Sequence, residues 1–312
     1  MLLSNASRAL RCGSARWLSS LSYVSGGAGP PLLGETLGAA LSAAAARWPD
    51  RRALVSASHG AHWTWSELDA RVDDCAAGLL RLGAKTGDRI ACWSLNRPEW
   101  VVTQLAASRA GLIFVTLNPA YRAREAAYAL ARVGASVLVT AARFKDSDYI
   151  AMLRVMCPEL ATARPGALHA AALPALRAVV QLGGGASPGA LAFEEVAEPG
   201  GGAKGEARSV LAALELDADD VTNIQFTSGT TGKPKGVMLT HHSILNNGAA
   251  CGAAQRLTPE DAICIPVPLY HCFGSILGVL AAVTHGAAMV LPGEGFDARA
   301  TLAAVEAERC TA

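Results

Sequence analysis

The 312-residue chain is poor in charge and in aromatics: charged residues make up 17% and aromatic residues 5%. Its formal net charge is +1, so it offers no broad basic field for nucleic acid. The eight cysteines, Cys12, Cys75, Cys92, Cys157, Cys251, Cys264, Cys272 and Cys310, contain no C-x-x-C pair. That spacing argues against zinc and thioredoxin-like motifs, and it fits a reducing compartment better than a disulfide scaffold. No G-x-G-x-x-G follows a strand-like run and opens a helix, which removes the dinucleotide-binding fingerprint. Long apolar runs are scarce too. The stretch 275–291 approaches membrane-spanning length but is broken by Thr284, His285 and Gly286. It reads as a buried helix, a turn and a short strand over 288–291.

Acidic residues are absent before Glu35, while Arg8, Arg11, Arg16 and several serines precede it. An Arg-rich, Ser-rich, acid-free start has the composition of a mitochondrial transit peptide. We therefore expect a leader over 1–34 and a mitochondrial matrix location. A secretory signal would need a long apolar run after the basic residues, and none follows.

Apolar and small residues are plentiful: 51% of the chain is hydrophobic and 31 residues are glycine. That supports a sizeable core and many tight turns. Periodicity predicts a helix over 36–47, stopped by Pro49, then strands over 53–57 and 62–65 forming a hairpin around Gly60. Ser66 suits an N-cap, with Asp69 at the third helical position. Leu68, Val72, Cys75, Ala76 and Leu79 then recur at helical spacing up to Gly83. A strand over 89–95, a helix opened by Pro98, a strand over 113–117, a helix over 124–133 and a strand over 136–140 follow. The β-α-β-α-β order predicts an α/β fold with mainly parallel sheets flanked by helices. Glycines 183–185 and 200–202, with Pro188 and Pro199, predict a long surface excursion over 182–207. Further helices are expected over 243–254 and 297–309. There is no internal repeat.

The most specific feature is Thr227-Ser228-Gly229-Thr230-Thr231-Gly232-Lys233-Pro234-Lys235, followed by Gly236. It lies between strand-like runs over 222–226 and 237–240. Its glycines let the backbone approach a ligand, so that consecutive N–H groups form an anion nest. The hydroxyls add donors, the two lysines add charge, and Pro234 stiffens the exit. Together they can hold a polyphosphate. A Walker A loop would need glycine at 227 and Ser or Thr at 234, so a P-loop kinase is disfavoured. A plain hairpin turn would leave most of these residues unexplained.

This segment resembles the phosphate-binding signature of the adenylate-forming superfamily, which includes acyl-CoA synthetases, luciferases and peptide-synthetase adenylation domains. Gly87-Asp88-Arg89, the stretch 96–100, Asn118-Pro119-Ala120-Tyr121 and Pro268-Leu269-Tyr270-His271-Cys272-Phe273-Gly274 resemble its other blocks. The likeness runs from about residue 36 to the end. Residues 21–24 and 118–134 are most similar to mitochondrial medium-chain acyl-CoA synthetases. The resemblance implies the N-terminal part of a large adenylating domain. It also implies two steps. A fatty carboxylate attacks the α-phosphate of ATP, and coenzyme A then displaces AMP. Thr227 to Lys235 would grip the β- and γ-phosphates, with Mg²⁺ sharing the charge. His271 would stand beside the acyl carboxylate and α-phosphate. Phe273, Ile276 and Leu277 either line an acyl tunnel or pack in the core. His241 and His242 read as helix capping and a solvated face, Trp63, Trp65 and Trp100 as core, and Asp88 with Arg89 as a solvated turn. The family's later blocks for adenine, ribose and the catalytic lysine do not occur, so the chain reads as the front part of a longer protein. An aryl-CoA ligase and a non-catalytic nucleotide-binding fragment stay open as other readings.

Overall fold

The computed structural model describes residues 29–198, 209–227 and 234–312. The chain divides into two units, Met1–Leu32 and Leu33–Ala312. Residues 29–32 are the described part of the first and carry no helix or strand. The 1–34 leader thus lies almost wholly outside the described residues. Every helix and strand among the described residues belongs to the second unit.

Strands β1 (Arg52–Ser56) and β2 (Ala61–Thr64) form the expected hairpin, with Gly60 at φ 62° closing it. The next strands are β3 (Arg89–Trp93), β4 (Ile113–Thr116), β5 (Ala135–Ala141), the short pair β6 (Arg143–Phe144) and β7 (Ser147–Asp148), then β8 (Ala178–Leu182) and β9 (Leu191–Ala192). They are followed by β10 (Val221–Thr227), β11 (Lys235–Thr240), β12 (Ala262–Cys264) and β13 (Ala288–Leu291). Helices α1 (Leu37–Arg47), α2 (Trp65–Arg81), α3 (Pro98–Arg109), α4 (Ala123–Val133), α5 (Tyr149–Met156) and α6 (Phe193–Ala197) alternate with them. Among the described residues one sheet has the order β12-β13-β1-β2 and a second β11-β10-β4-β3-β5-β8-β9. The second is parallel throughout except for the antiparallel β10–β11 pair. The α/β expectation holds.

Alternation along the strands of the second sheet feeds two cores. Ile90, Cys92, Phe114, Val137 and Val139 pack in a cluster with residues of α2 and α3. Ala91, Trp93, Val115 and Leu138 pack on the other face with residues of α4 and α5. Both faces are covered, which is what a parallel sheet requires.

Two expectations need correction. Thr64, not Ser66, caps α2. Its hydroxyl accepts the Glu67 N–H at 3.2 Å, and the Glu67 carboxylate accepts the Thr64 N–H at 2.8 Å. This capping box starts the helix early because Trp65, fully buried, must turn inward directly from the strand. Asp69 is consequently a buried ion-pair partner of Arg109 and not a helix-start residue. Nor is 182–207 wholly a surface excursion. Leu191–Ala192 extends the sheet, and α6 buries Phe193 and Val196 against α2. Gly78 permits this, since a Cβ there would overlap the Val196 carbonyl. The flanking glycines masked that short apolar pattern; residues 199–207 lie outside the described set.

The apolar run 275–291 splits as expected, into a π-helix Phe273–Leu280, the helix Ala281–His285 and β13. Among the described residues no helix is long and apolar enough to cross a membrane.

His241 is also corrected. Thr240 caps the helix His241–Gln255, and His241 itself is buried, its Nδ1 accepting the Leu37 N–H at 3.1 Å. Burial pushes its pKa from 6.5 down to about 4, partly opposed by Asp220. The unfolded chain therefore takes up a proton near pH 6.5 that the folded chain refuses until about pH 4. This contribution is complete above pH 6.5 and is lost as the pH falls toward 4. It amounts to about 2–3 kcal/mol between pH 7 and 4.5. His241→Asn keeps an acceptor but does not titrate. Urea unfolding at the two pH values should show a smaller pH dependence in the variant; equal dependence would refute the assignment.

Candidate functional site

The chain leaves β3 for β4 on one side, then crosses back over β3 to β5 on the other. The crevice outside the carboxyl ends of strands at such a reversal is the place where open α/β sheets bind ligands. Leu95 and Asn96 follow β3, Asn118 to Arg122 follow β4, and Phe144 to Tyr149 follow β5. With Pro266, Pro268, Tyr270 and Glu294 to Phe296 from the other sheet, these segments, except Tyr121 and Asp148, line a cavity of about 390 Å³.

The wall after β4 is rigidly held. Trp93 Nε1 donates to the Asn118 carbonyl at 3.2 Å, and the Tyr149 hydroxyl donates to the Pro119 carbonyl at 3.1 Å. The two rings pack at a tilt of 59° with their centroids 4.7 Å apart. Burial pushes Tyr149 up to about 12, so it remains a donor at neutral pH. The Asn118 side chain accepts the Ala120 N–H at 2.9 Å. The charged rim comprises Arg122, which donates to Ser147, and Lys145, which sits at φ 48° over the Phe144 ring. Opposite them Glu294 accepts from Arg97 at 2.7 Å and meets His59 Nε2 at 3.3 Å.

β10 runs parallel to β4, so its carboxyl end opens at the same edge as the crevice. There Thr227 pairs with Lys235 across the β10–β11 hairpin. Those residues and Pro234 are the described part of the segment Thr227 to Lys235. Pro234 offers its carbonyl to the Tyr128 hydroxyl at 3.5 Å, and Lys235 is exposed. Ser228, Gly229, Thr230, Thr231, Gly232 and Lys233 lie outside the described residues.

His271 is exposed and sits just before the π-helix. Its Nδ1 accepts the Phe273 N–H at 3.2 Å. That bond fixes the tautomer with the proton on Nε2, which has no partner among the described residues. The Ser275 hydroxyl donates to the His271 carbonyl at 3.1 Å, and Gln225 Nε2 reaches the same hydroxyl at 3.4 Å. The histidine turn is thereby tied to β10, two residues before Thr227.

The tunnel expectation divides. Phe273 is 55% exposed, whereas Ile276 is 5% exposed and belongs to the core. The helices behind it close tightly. A Cβ on Gly248 would come within 2.7 Å of Leu280 Cβ, and one on Gly252 would overlap the His285 ring. Trp65 and Trp100 are core as expected. Asp88 and Arg89 form a stapled turn: Asp88 pairs with Arg177 at 2.8 Å, and Arg89 donates to the Val133 and Gly134 carbonyls. Sequence reasoning gave no separate role to Asn96, Gln225, Ser275 or Glu294. The one available signal was Asn96 standing just before the helix-opening Pro98.

Among the described residues no group of three or more His, Cys, Asp or Glu can hold a metal ion.

Known proteins resemble this chain over most of its length. Over 292 residues the chain is 40% identical to a Danio rerio protein described as medium-chain acyl-CoA ligase ACSF2, mitochondrial, covering 93% of this chain and 48% of that one. The Homo sapiens protein of the same description is 40% identical over 303 residues, with 94% and 48% covered. The chain therefore spans about half the length of the curated relatives it matches. The crystal structure of ATP-bound MatB from Rhodopseudomonas palustris superposes with a TM-score of 0.64 at 25% identity, covering 84% of this chain and 46% of that one. The profile of the AMP-binding enzymes matches residues 41–312, and the chain belongs to that family.

Proposed function

We propose that this chain is the triphosphate-gripping part of a fatty acid–CoA ligase of medium-chain type. The carrying observation is the hairpin β10–β11, whose Thr227–Lys235 mouth frames the Gly/Thr/Lys loop and whose strand is tied to the His271 turn. In this reading Thr227, Ser228, Gly229, Thr230, Thr231, Gly232, Lys233, Pro234 and Lys235 hold the β- and γ-phosphates of ATP. Magnesium, brought with ATP, neutralises charge so that the fatty carboxylate can approach the α-phosphate. The carboxylate oxygen bonds to phosphorus, the bond to pyrophosphate breaks, and acyl-adenylate forms. His271 Nε2–H donates to the charge that develops. The coenzyme A thiolate then attacks the acyl carbon and releases AMP. The crevice at the sheet reversal, lined by Arg122 and Lys145 and also by Asp146 and Glu294, is of a size to take part of a co-substrate. The named relatives and the acid-free leader support a mitochondrial setting.

The test is pyrophosphate–ATP exchange with Mg²⁺ and octanoate. It is run on this chain and on a fusion that adds the second half of a medium-chain relative after Ala312. Lys235→Ala in the fusion should raise the KM for ATP about tenfold, the usual cost of one charged phosphate contact. An unchanged KM would remove Lys235 from the grip. ATP binding with no exchange in either protein would favour a nucleotide-binding role without catalysis.

A further inference from the structure

The segment Pro266-Val267-Pro268-Leu269 leads from β12 to His271, and its two prolines have no N–H. Such a stretch cannot be held by an ordinary strand ladder. Asn96, only 3% exposed, supplies what is missing. Its Nδ2 donates to the Val267 carbonyl at 2.9 Å, and its Oδ1 accepts the Leu269 N–H at 2.8 Å. One side-chain amide thus acts as the partner strand for the proline segment. Asn96 also donates its own N–H to the Glu294 carbonyl at 3.0 Å. It stands at the carboxyl end of β3, in the seven-stranded sheet, while both segments it grips follow strands of the other sheet. Just downstream of the clamp, the His271 N–H donates to the Pro268 carbonyl at 3.2 Å. Gly274 seals the turn from behind, because a Cβ there would meet the Pro268 carbonyl oxygen at 2.5 Å.

We infer that Asn96 is the positioning residue for His271, fixing the tautomer and direction of its imidazole across the gap between the two sheets. What His271 then does rests on the acyl-activating reading; the clamp itself does not.

The experiment reads the histidine without any substrate. In Asn96→Asp the acceptor for Leu269 is kept, but a carboxylate oxygen faces the Val267 carbonyl and the donor is gone. Nitrogen-15 spectra of the imidazole, assigned with His271→Gln, should show one Nε2–H tautomer in the parent chain and a mixture in Asn96→Asp. The exposed His62 serves as control and should not change. If Asn96→Asp does not fold, Asn96→Ser takes its place. In the same variant the Leu269 and Phe273 amides should both lose protection against exchange, since one clamp orders both. Unchanged His271 signals in the variant, or a protected Phe273 amide beside an unprotected Leu269 amide, would overturn the inference. In the fusion, Asn96→Asp should lower kcat for pyrophosphate exchange about tenfold, the effect of one lost buried hydrogen bond. A clamp that passes the spectroscopic test while His271→Ala leaves exchange intact would sink the role of His271 and leave that of Asn96 standing.

Discussion

Arg109→Met should lower the unfolding free energy by about 3–5 kcal/mol, the cost of breaking a buried ion pair from one side. Arg109 is 8% exposed at the end of α3. Its Nη2 donates to Asp69 Oδ1 at 2.6 Å, to the Gly38 carbonyl at 3.0 Å and to the Ser42 hydroxyl at 2.9 Å. Its Nη1 donates to Asp73 and to the Asp69 carbonyl. The planar fork therefore ties α1, α2 and α3 together. Methionine fills a similar volume but leaves two carboxylates, 8% and 12% exposed, without their guanidinium. Domains of this kind are stable by only about 5–15 kcal/mol, so the loss is a large share of the total. Arg109→Lys keeps the charge without the fork and should fall between the two. Adding Asp69→Asn and Asp73→Asn to Arg109→Met should recover much of the loss, because the charge that needed pairing is gone. Urea unfolding followed by tryptophan fluorescence reads all four proteins. A cost under about 1 kcal/mol for Arg109→Met would place this triad among ion pairs of no consequence.

His271→Ala should slow adenylate formation in the fused protein by roughly 10²–10³-fold, the range found when one donor to a developing oxyanion is removed. The reason is geometric. The Phe273 N–H occupies Nδ1, so the ring can offer only Nε2–H outward, and it is exposed where the turn is tied to β10. Two anions must meet in the first step, and a donor placed before the reaction costs no reorganisation when charge develops. The KM for ATP should change little, since under the acyl-activating reading the phosphates are held by the loop between β10 and β11. His271→Asn, with an amide donor, should recover part of the rate. Pyrophosphate exchange under saturating octanoate measures this, and an alanine variant as fast as its parent would exclude the role.

Much of this arrangement was legible in the sequence because it depends on local pattern. The strands around β3, β4 and β5 declare themselves by apolar runs, and the helices by spacing and caps. The order of the elements already implied parallel sheets. The Gly/Thr/Lys segment stands out because glycine, hydroxyl and lysine positions are all restricted at once, though residues 228–233 lie outside the described set. What could not be read depends on partners distant in sequence. Asp69 looked like a helix-start acid because its partner, Arg109, is 40 residues away. His241 looked like a surface residue because the Leu37 N–H that it accepts lies 204 residues away. Asn96 carries no local signature of its clamp, since the stretch it grips begins about 170 positions later. Phe193 and Val196 were hidden by the glycines on both sides of them.

Under the acyl-activating reading, the glycine contacts between the helix His241–Gln255 and the helices after His271 would limit how substrate choice can change. Gly248 and Gly252 leave no gap into which a longer acid could be threaded, and any added methyl would push against Leu280 or His285. Under the acyl-activating reading, drift toward longer or shorter acids is closed along this seam. It must proceed on the open side, where Phe273 faces outward.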